Sequence, residues 1–324
     1  MSTSPPPPRR NWHLNRWLLV LILALFGWSQ WQTYTLRSAL AEAEALGWTV
    51  QYTNPFISIR ENWKSAFKKE TWLDGVTYVE IATSEPFEPH ASVLHRLNPK
   101  SLIIQDAATM HDLSALTPLT RLENVSLANA TALTNADALK NLTALKDVSL
   151  SDCAALTNVD ALKNLTALEN LSLHRCTGLT NLDGLNNLTA LRRLELFRCT
   201  ALINVDGLKT LTALNFVLVG ESAGLTNVDG LVNLHALLGV NLTGCSKLTN
   251  LNALKNLTAL QVVYLEGCTG LTDVDALMNR PTLKAVILKG CTGLTKESVE
   301  ALKAALPKAQ ILSDFDEPKP KTRK

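Results

Sequence analysis

The chain has 324 residues, more than one compact domain usually holds, with 46% apolar and 19% charged residues. That balance supports a continuous core and excludes a globally disordered chain. A net charge of +2 leaves no electrostatic footprint for nucleic acid, which is not expected as a partner.

Residues 1–16, MSTSPPPPRRNWHLNR, form a basic, proline-rich tail containing Arg9, Arg10 and Arg16 and no acid. The apolar run from Trp17 is short for a span, but Trp12 and Trp17 flank one side and Trp28, Trp31 and Tyr34 the other. Aromatic belts of this kind sit at membrane interfaces. Residues 17–34 therefore read as an uncleaved transmembrane signal anchor, with a cleaved secretion signal as the alternative. Positive flanks stay inside, so residues 1–16 are expected in the cytoplasm and the rest in the periplasm or outside the cell. Cleavage would make the protein secreted.

Residues 35–46 contain LRSALAEAEAL, a strong helix former that reads as a stalk ended by Gly47. Residues 47–98 read as an amino-terminal cap. In it, Trp48–Tyr52 and Phe56–Ile59 flank Asn54-Pro55 like a hairpin, and residues 61–72 suit a short amphipathic helix. Val76, Val79, Ile81, Phe87 and Val93 trace a degenerate repeat ahead of the regular ones.

From residue 99 to 294 the chain is periodic. Leu122, Leu145, Leu168, Leu191, Leu214, Leu237, Leu260 and Leu283 recur every 23 residues, the signature of a stacked solenoid. In the unit LKDVSLSDCAALTNVDALKNLTA, the spacing of Leu145, Val148 and Leu150 predicts a short strand. Leu156, Val159, Leu162 and Leu165 follow every three residues, as a 3₁₀-like convex segment requires. Asp160, with Asp137, Asp183, Asp206, Asp229 and Asp275 in the same phase, is placed to cap the free N–H groups of that segment. Residues 295–313 supply a closing helix, Lys296–Ala305, and a last strand, Ala309–Leu312. The polar tail 314–324 is expected to be disordered.

Cys153, Cys176, Cys199, Cys245, Cys268 and Cys291 share one phase, in which Ser222 and Ala130 also stand. A residue type locked to a repeat phase is a packing element first. Parallel stacking does not make side chains converge, so reduced, buried thiols are expected rather than disulfides. No CxxC or paired histidine suggests a metal.

The pattern LxxLxLxxC followed by LTNVDALKNLTAL resembles a leucine-rich repeat of the bacterial internalin-like class, with cysteine in place of the asparagine ladder. The likeness spans Val76–Leu312 and is most regular over Leu122–Leu294. It departs from internalins by one extra residue between the ladder position and the next leucine. The anchor and cap ahead of the array also resemble bacterial membrane-anchored proteins of this class. The resemblance implies an α/β solenoid with a parallel β-sheet on the concave face and 3₁₀ or irregular segments on the convex one. Roughly ten rungs at about 4.8 Å would make it about 48 Å long.

Strand residues between the core leucines are free to vary. Asn124, Ser126, Asp147, Ser149, Asn170 and Ser172 are small and polar, whereas His174, Arg175, Arg193, Glu195, Phe197, Arg198 and Phe216 form a candidate basic–aromatic contact patch. Arg192 and Leu218 adjoin it, and Tyr264 with Glu266 is a second candidate. His13, His90, His95, His111, His174 and His235 fall in unrelated phases, so no catalytic residue, metal site or cofactor is expected. The sequence predicts a membrane-tethered, non-catalytic module that binds a protein or glycan. The alternatives are a structural cell-envelope component without a discrete ligand, and an enzyme seated in residues 47–98.

Overall fold

The computed structural model describes residues 34–52, 76–81 and 90–316. Among them, twelve strands form a single sheet in sequence order. The first two are β1 (Thr49–Tyr52) and β2 (Val76–Ile81), which pair antiparallel. Then come β3 (Ser101–Ile104), β4 (Asn124–Leu127), β5 (Asp147–Leu150), β6 (Asn170–Ser172) and β7 (Arg193–Glu195). They are followed by β8 (Phe216–Leu218), β9 (Gly239–Asn241), β10 (Val262–Tyr264), β11 (Ala285–Ile287) and β12 (Gln310–Leu312). From β2 onward every neighbour is parallel, with register partners such as Val125↔Val148, Leu171↔Leu194 and Val240↔Val263. Eleven parallel strands leave ten spacings of about 4.8 Å, hence about 48 Å of stack.

Alternation in each strand decides the two faces of the sheet. Val148 and Leu150 point into the core while Asp147 and Ser149 face out. Opposite the sheet, turns such as Asp160–Leu162 and Asp183–Leu185 are 3₁₀. Leu162, Leu165 and Leu168 each donate their N–H to the carbonyl three residues back, so leucines at this spacing stay on one edge. The repeat leucines are fully buried, Leu122 through Leu260 at 0% exposure, and form one core along the stack.

Several sequence expectations change. The aspartates do not cap the 3₁₀ turns; they occupy the first position of each. The asparagine two residues earlier accepts that N–H instead: Asn158 Oδ1 from Asp160 N at 3.2 Å, Asn181 from Asp183 and Asn204 from Asp206. A side chain that folds back onto the N–H two residues on makes the turn by itself, which asparagine does readily.

The expected stalk is not free. Residues 34–45 form a helix, α1, whose Ala39 and Ala43 are fully buried and whose Glu42 pairs with Arg96. Arg96 belongs to α2 (Ala91–Leu97), so α1 is packed on the head of the solenoid. Two alanines four apart give it a flat apolar stripe. β1 pairs with β2; residues 56–59, expected as its hairpin partner, lie outside the described residues, as do 61–72 and Phe87.

Asp314–Asp316 also belongs to the fold, as a last 3₁₀ turn. Residues 317–324 are outside the described part, and so are 1–16 and the candidate anchor up to residue 33. Among the described residues no helix is long and apolar enough to cross a membrane.

The carboxyl end closes the stack. Thr295 caps α3 (Lys296–Ala305) by accepting the Ser298 N–H at 3.2 Å. The Gly267 N–H reaches the Lys289 carbonyl of the next rung at 2.7 Å. At Gly290, one rung later, Asp314 Oδ2 takes that role at 2.8 Å. Asp316 accepts from the Ser313 N–H at 3.0 Å and hydroxyl at 2.9 Å and pairs with Lys303. The Lys303 contact, then the Ser313 bonds, hold the Asp316 carboxyl below its ordinary range. A folded pKa below the unfolded value of about 3.9 gives stability above that pH, lost as pH falls through the folded value. Asp316→Asn is therefore expected to flatten thermal stability against pH below about pH 4, read by circular dichroism melts.

One rung breaks the core pattern. Arg280 stands where other rungs have Leu211, Leu234 or Leu257, and it is 6% exposed. Its guanidinium donates to the carbonyls of Leu257, at 2.7 Å, and Leu254. Both carbonyls already accept backbone N–H groups, from Leu260 and Leu257. Their counterparts at Leu208 and Leu211 do the same without an arginine. The buried charge is thus not needed to satisfy them. Arg280→Leu is expected to hold or raise the unfolding free energy by about 1 kcal/mol. Arg280→Ala should lower it by about 2 kcal/mol through the cavity it leaves, both read from urea titrations.

Candidate functional site

Register stacks the outward strand residues into columns at the rung spacing. One column runs Asn124, Asp147, Asn170, Arg193, Phe216, Gly239, Val262 and Ala285. A second runs Ser126, Ser149, Ser172, Glu195, Leu218, Asn241, Tyr264 and Ile287. The chemistry changes along them. In the early rungs Asp147 accepts an amide N–H from Asn170 at 2.6 Å, and Asn124, with its amide turned, reaches the other oxygen at 2.5 Å. These polar residues, with Arg193 and Glu195, line a shallow groove of about 280 Å³. From β8 onward the columns turn aromatic and aliphatic. The Phe216 and Tyr264 rings stand 39% and 44% exposed, which makes them the large apolar groups offered by this face.

The candidate patch divides in two. Arg193, Glu195 and Phe216 lie on the strand face, where the Arg193 guanidinium is 5.9 Å from the Phe216 ring centre. His174, Arg175, Phe197 and Arg198 lie past the strand ends, in the turn that leads into the core. There His174 meets Phe197 edge-on at 5.6 Å, and Arg198 sits 5.9 Å from the same ring.

The two phenylalanines are supported by glycines of the following rungs. Each rests on the glycine one rung on. A Cβ on Gly220 would meet Phe197 Cε2 at 2.6 Å, and one on Gly239 would meet Phe216 at 3.1 Å.

The patch is not basic either. Arg193 Nε binds Glu195 at 2.6 Å, Arg198 Nε binds Glu221 at 2.5 Å, and Arg175 Nη1 binds Asp152 at 3.3 Å. Arg192 lies 3.9 Å from Glu169. Each arginine of the patch thus has a carboxylate within reach, and simple attraction of an acidic partner loses its footing. Exposed pairs of this kind contribute only about 0.2–1 kcal/mol each to stability.

The turn residues have an unusual backbone. Asn129, Asp152, Arg175, Arg198 and Glu221 stand 23 apart, with φ of 58°, 60°, 58°, 63° and 55°. Gly244, Gly267 and Gly290 continue the column at 72° or 73°. From Asp152 to Gly267 each sends its N–H to a carbonyl of the next rung, as Arg175 does to Phe197 at 2.8 Å, and then turns the chain inward. The left-handed conformation suits glycine and asparagine and costs other residues of order 1 kcal/mol. The side chains of Asp152, Arg175, Arg198 and Glu221, with Thr177 and Thr200, line a second groove of about 530 Å³.

Comparison with known proteins agrees with this geometry. Residues 106–216 match the family described as BspA type leucine rich repeat region, in six copies. The chain is similar to the leucine-rich repeat domain of the type III effector XopL, at 19% identity and a TM-score of 0.51 over 89% of this chain and 94% of that one. The chain has the leucine-rich-repeat fold. It is also similar to internalin C2 of Listeria monocytogenes, at 22% identity and a TM-score of 0.47 over 63% of this chain and 84% of that chain. No curated protein matches it by sequence comparison.

At the position where the internalin-like resemblance implies an asparagine ladder, this chain stacks thiols. All six cysteines are free and buried. The Sγ atoms of Cys176, Cys199, Cys245, Cys268 and Cys291 donate to carbonyls of the preceding rung at 2.9–3.4 Å, for example Cys268 to Leu242. Cys153 instead faces the Ser151 carbonyl at 3.7 Å. Burial pushes the thiols of Cys199 and Cys245 up to about 12 and Cys291 to about 11, against the opposing pull of a backbone N–H from the rung before. They are packing groups, not nucleophiles.

Ser222 does both jobs explicitly: its Oγ donates to the Leu196 carbonyl at 3.0 Å and accepts the Cys199 N–H at 3.1 Å. Among the described residues no three His, Cys, Asp or Glu groups are placed to hold a metal ion. Ser222→Ala leaves the buried Cys199 N–H only its long 3.4 Å contact with the Leu196 carbonyl and should cost about 1–3 kcal/mol in urea unfolding, whereas Ser222→Cys should come within about 1 kcal/mol of the parent.

Proposed function

We propose that this protein is a non-catalytic module that binds a protein partner on the strand face of its solenoid. The observation that carries the reading is the exposure of Phe216 and Tyr264 on an unbroken parallel sheet, beside Arg193 and downstream of a polar groove. Aromatic and arginine side chains dominate protein-binding hot spots. Those here are held ready, Phe216 over Gly239 and Arg193 against both Glu195 and the ring, so that little side-chain freedom is lost on binding. The paired charges favour a partner selected by shape and apolar contact over one selected by net charge.

The sequence adds a location. An anchor at residues 17–34 would hold the repeats outside the cytoplasm at the membrane surface, with the amino-terminal tail inside. Proximity labelling from the intact chain in cells tests both halves of this reading, since the label reports the compartment and the neighbours together. With a partner in hand, Phe216→Ala and Tyr264→Ala are each expected to weaken binding by about 2 kcal/mol, roughly thirtyfold in Kd, by calorimetry. Ile203→Ala, at an exposed position in the connection between β7 and the following 3₁₀ turn and outside the strand face, should leave it unchanged. Equal affinities for all three variants would remove the strand face from consideration.

A further inference from the structure

The same turn is built in two ways within this chain. Rungs from Gly244 onward use glycine, and Asn129 uses the residue that tolerates a left-handed backbone best after it. Arg175, Arg198 and Glu221 hold the same φ with long side chains that gain nothing from it. Their ion pairs are surface pairs, with side chains 35–48% exposed, and such pairs do little for stability. Unfavourable backbone kept at three consecutive rungs, where the chain elsewhere has a better residue, points to a use outside the fold.

The order of charges says what that use is. Along the ledge the column reads Asp152, Arg175, Arg198, Glu221: one acid, two guanidinium groups side by side, one acid. Each outer carboxylate draws its arginine away from the centre, Asp152 by Nη1 of Arg175 and Glu221 by Nε of Arg198. A guanidinium has five N–H donors, so both retain donors for an acceptor placed between them. Thr177 and Thr200 add hydroxyls to the groove wall.

We propose that this ledge is a second binding site, separate from the strand face, for an extended peptide segment carrying an acidic residue flanked two positions away on each side by basic ones. The dimensions agree. Three rung spacings from Asp152 to Glu221 span about 14 Å, and residues i to i+4 of an extended chain span about 13 Å. Side chains at i, i+2 and i+4 point the same way. The central carboxylate then takes the fork of Arg175 and Arg198, the bidentate geometry that guanidinium groups favour. The outer ammonium groups take Asp152 and Glu221.

The test uses the full chain and a fluorescein-labelled pentapeptide core, Lys-Ala-Glu-Ala-Lys, read by anisotropy beside its charge reversal, Glu-Ala-Lys-Ala-Glu. The first is expected to bind at least tenfold more tightly, and to weaken as sodium chloride rises from 50 to 500 mM. Arg175→Asn with Arg198→Asn should abolish the preference while the melting temperature holds or rises, because asparagine is what the same turn carries at residue 129. Equal binding of the two peptides would overturn the proposal. So would a double variant that keeps the preference, or one that melts several degrees lower, since the arginines would then serve the fold. Tighter binding of a sulfated oligosaccharide than of the peptide would reassign the ledge to a glycan.

Discussion

Everything in this molecule depends on the exchange of backbone hydrogen bonds between rungs held in a constant register. A rung has no core of its own: its leucines are buried only because the rungs on either side cover them. Its strand N–H groups find acceptors on the rungs either side, as Asp147 does on Glu123 of the rung before and Leu173 on Glu195 of the rung after. That constraint turns a 23-residue sequence period into a physical spacing, and it is what makes the ladder position so demanding. The chain must leave the strand through a left-handed residue and enter the core beside a small group able to meet a neighbouring carbonyl. Cysteine and serine both fit, the thiol through a longer and weaker contact than the hydroxyl.

A scaffold whose inward half is so tightly specified leaves its outward half free. The strand face accordingly passes from amides and hydroxyls, through an arginine–aromatic centre, to exposed rings and aliphatic groups, with no change in the backbone beneath. The turn ledge has less freedom, because its backbone already selects glycine or asparagine. Departures from that preference therefore carry more information than departures on the strand face. This is why the two surfaces, close in sequence, are best regarded as separate: Arg193 and Phe216 stand on relaxed strands, whereas Arg175 and Arg198 stand on strained turns.

The ends of the stack show the same rule by exception. A terminal rung lacks a neighbour on one side and needs substitutes for its bonds and its cover. At the head, α1, α2 and the antiparallel β1 supply cover. At the tail, α3 replaces a 3₁₀ turn, the register offset widens from Val286 to Ile311, and Asp314 stands in for a carbonyl that has no rung to come from.

The period, the strand positions, the 3₁₀ edges, the closing helix and the burial of the six cysteines are all legible in the sequence, because each follows from a spacing that one repeat shares with the next. Chemistry within a column is legible too, since the outward residues of successive strands are known once the period is known. What tertiary structure alone decided concerns pairs of residues whose partners are not set by the period. Asn158 rather than Asp160 holds the turn because the Asn158 side chain folds back to accept the Asp160 N–H, a contact that the period does not name. Arg193, Arg175 and Arg198 read as a basic patch until each is seen against its carboxylate, and nothing in the period says that Phe197 and Phe216 each lie on a glycine one rung on. Periodicity places backbones; the direction a long side chain takes from a strained or relaxed φ is settled by its neighbours, and that divided one apparent patch into two surfaces.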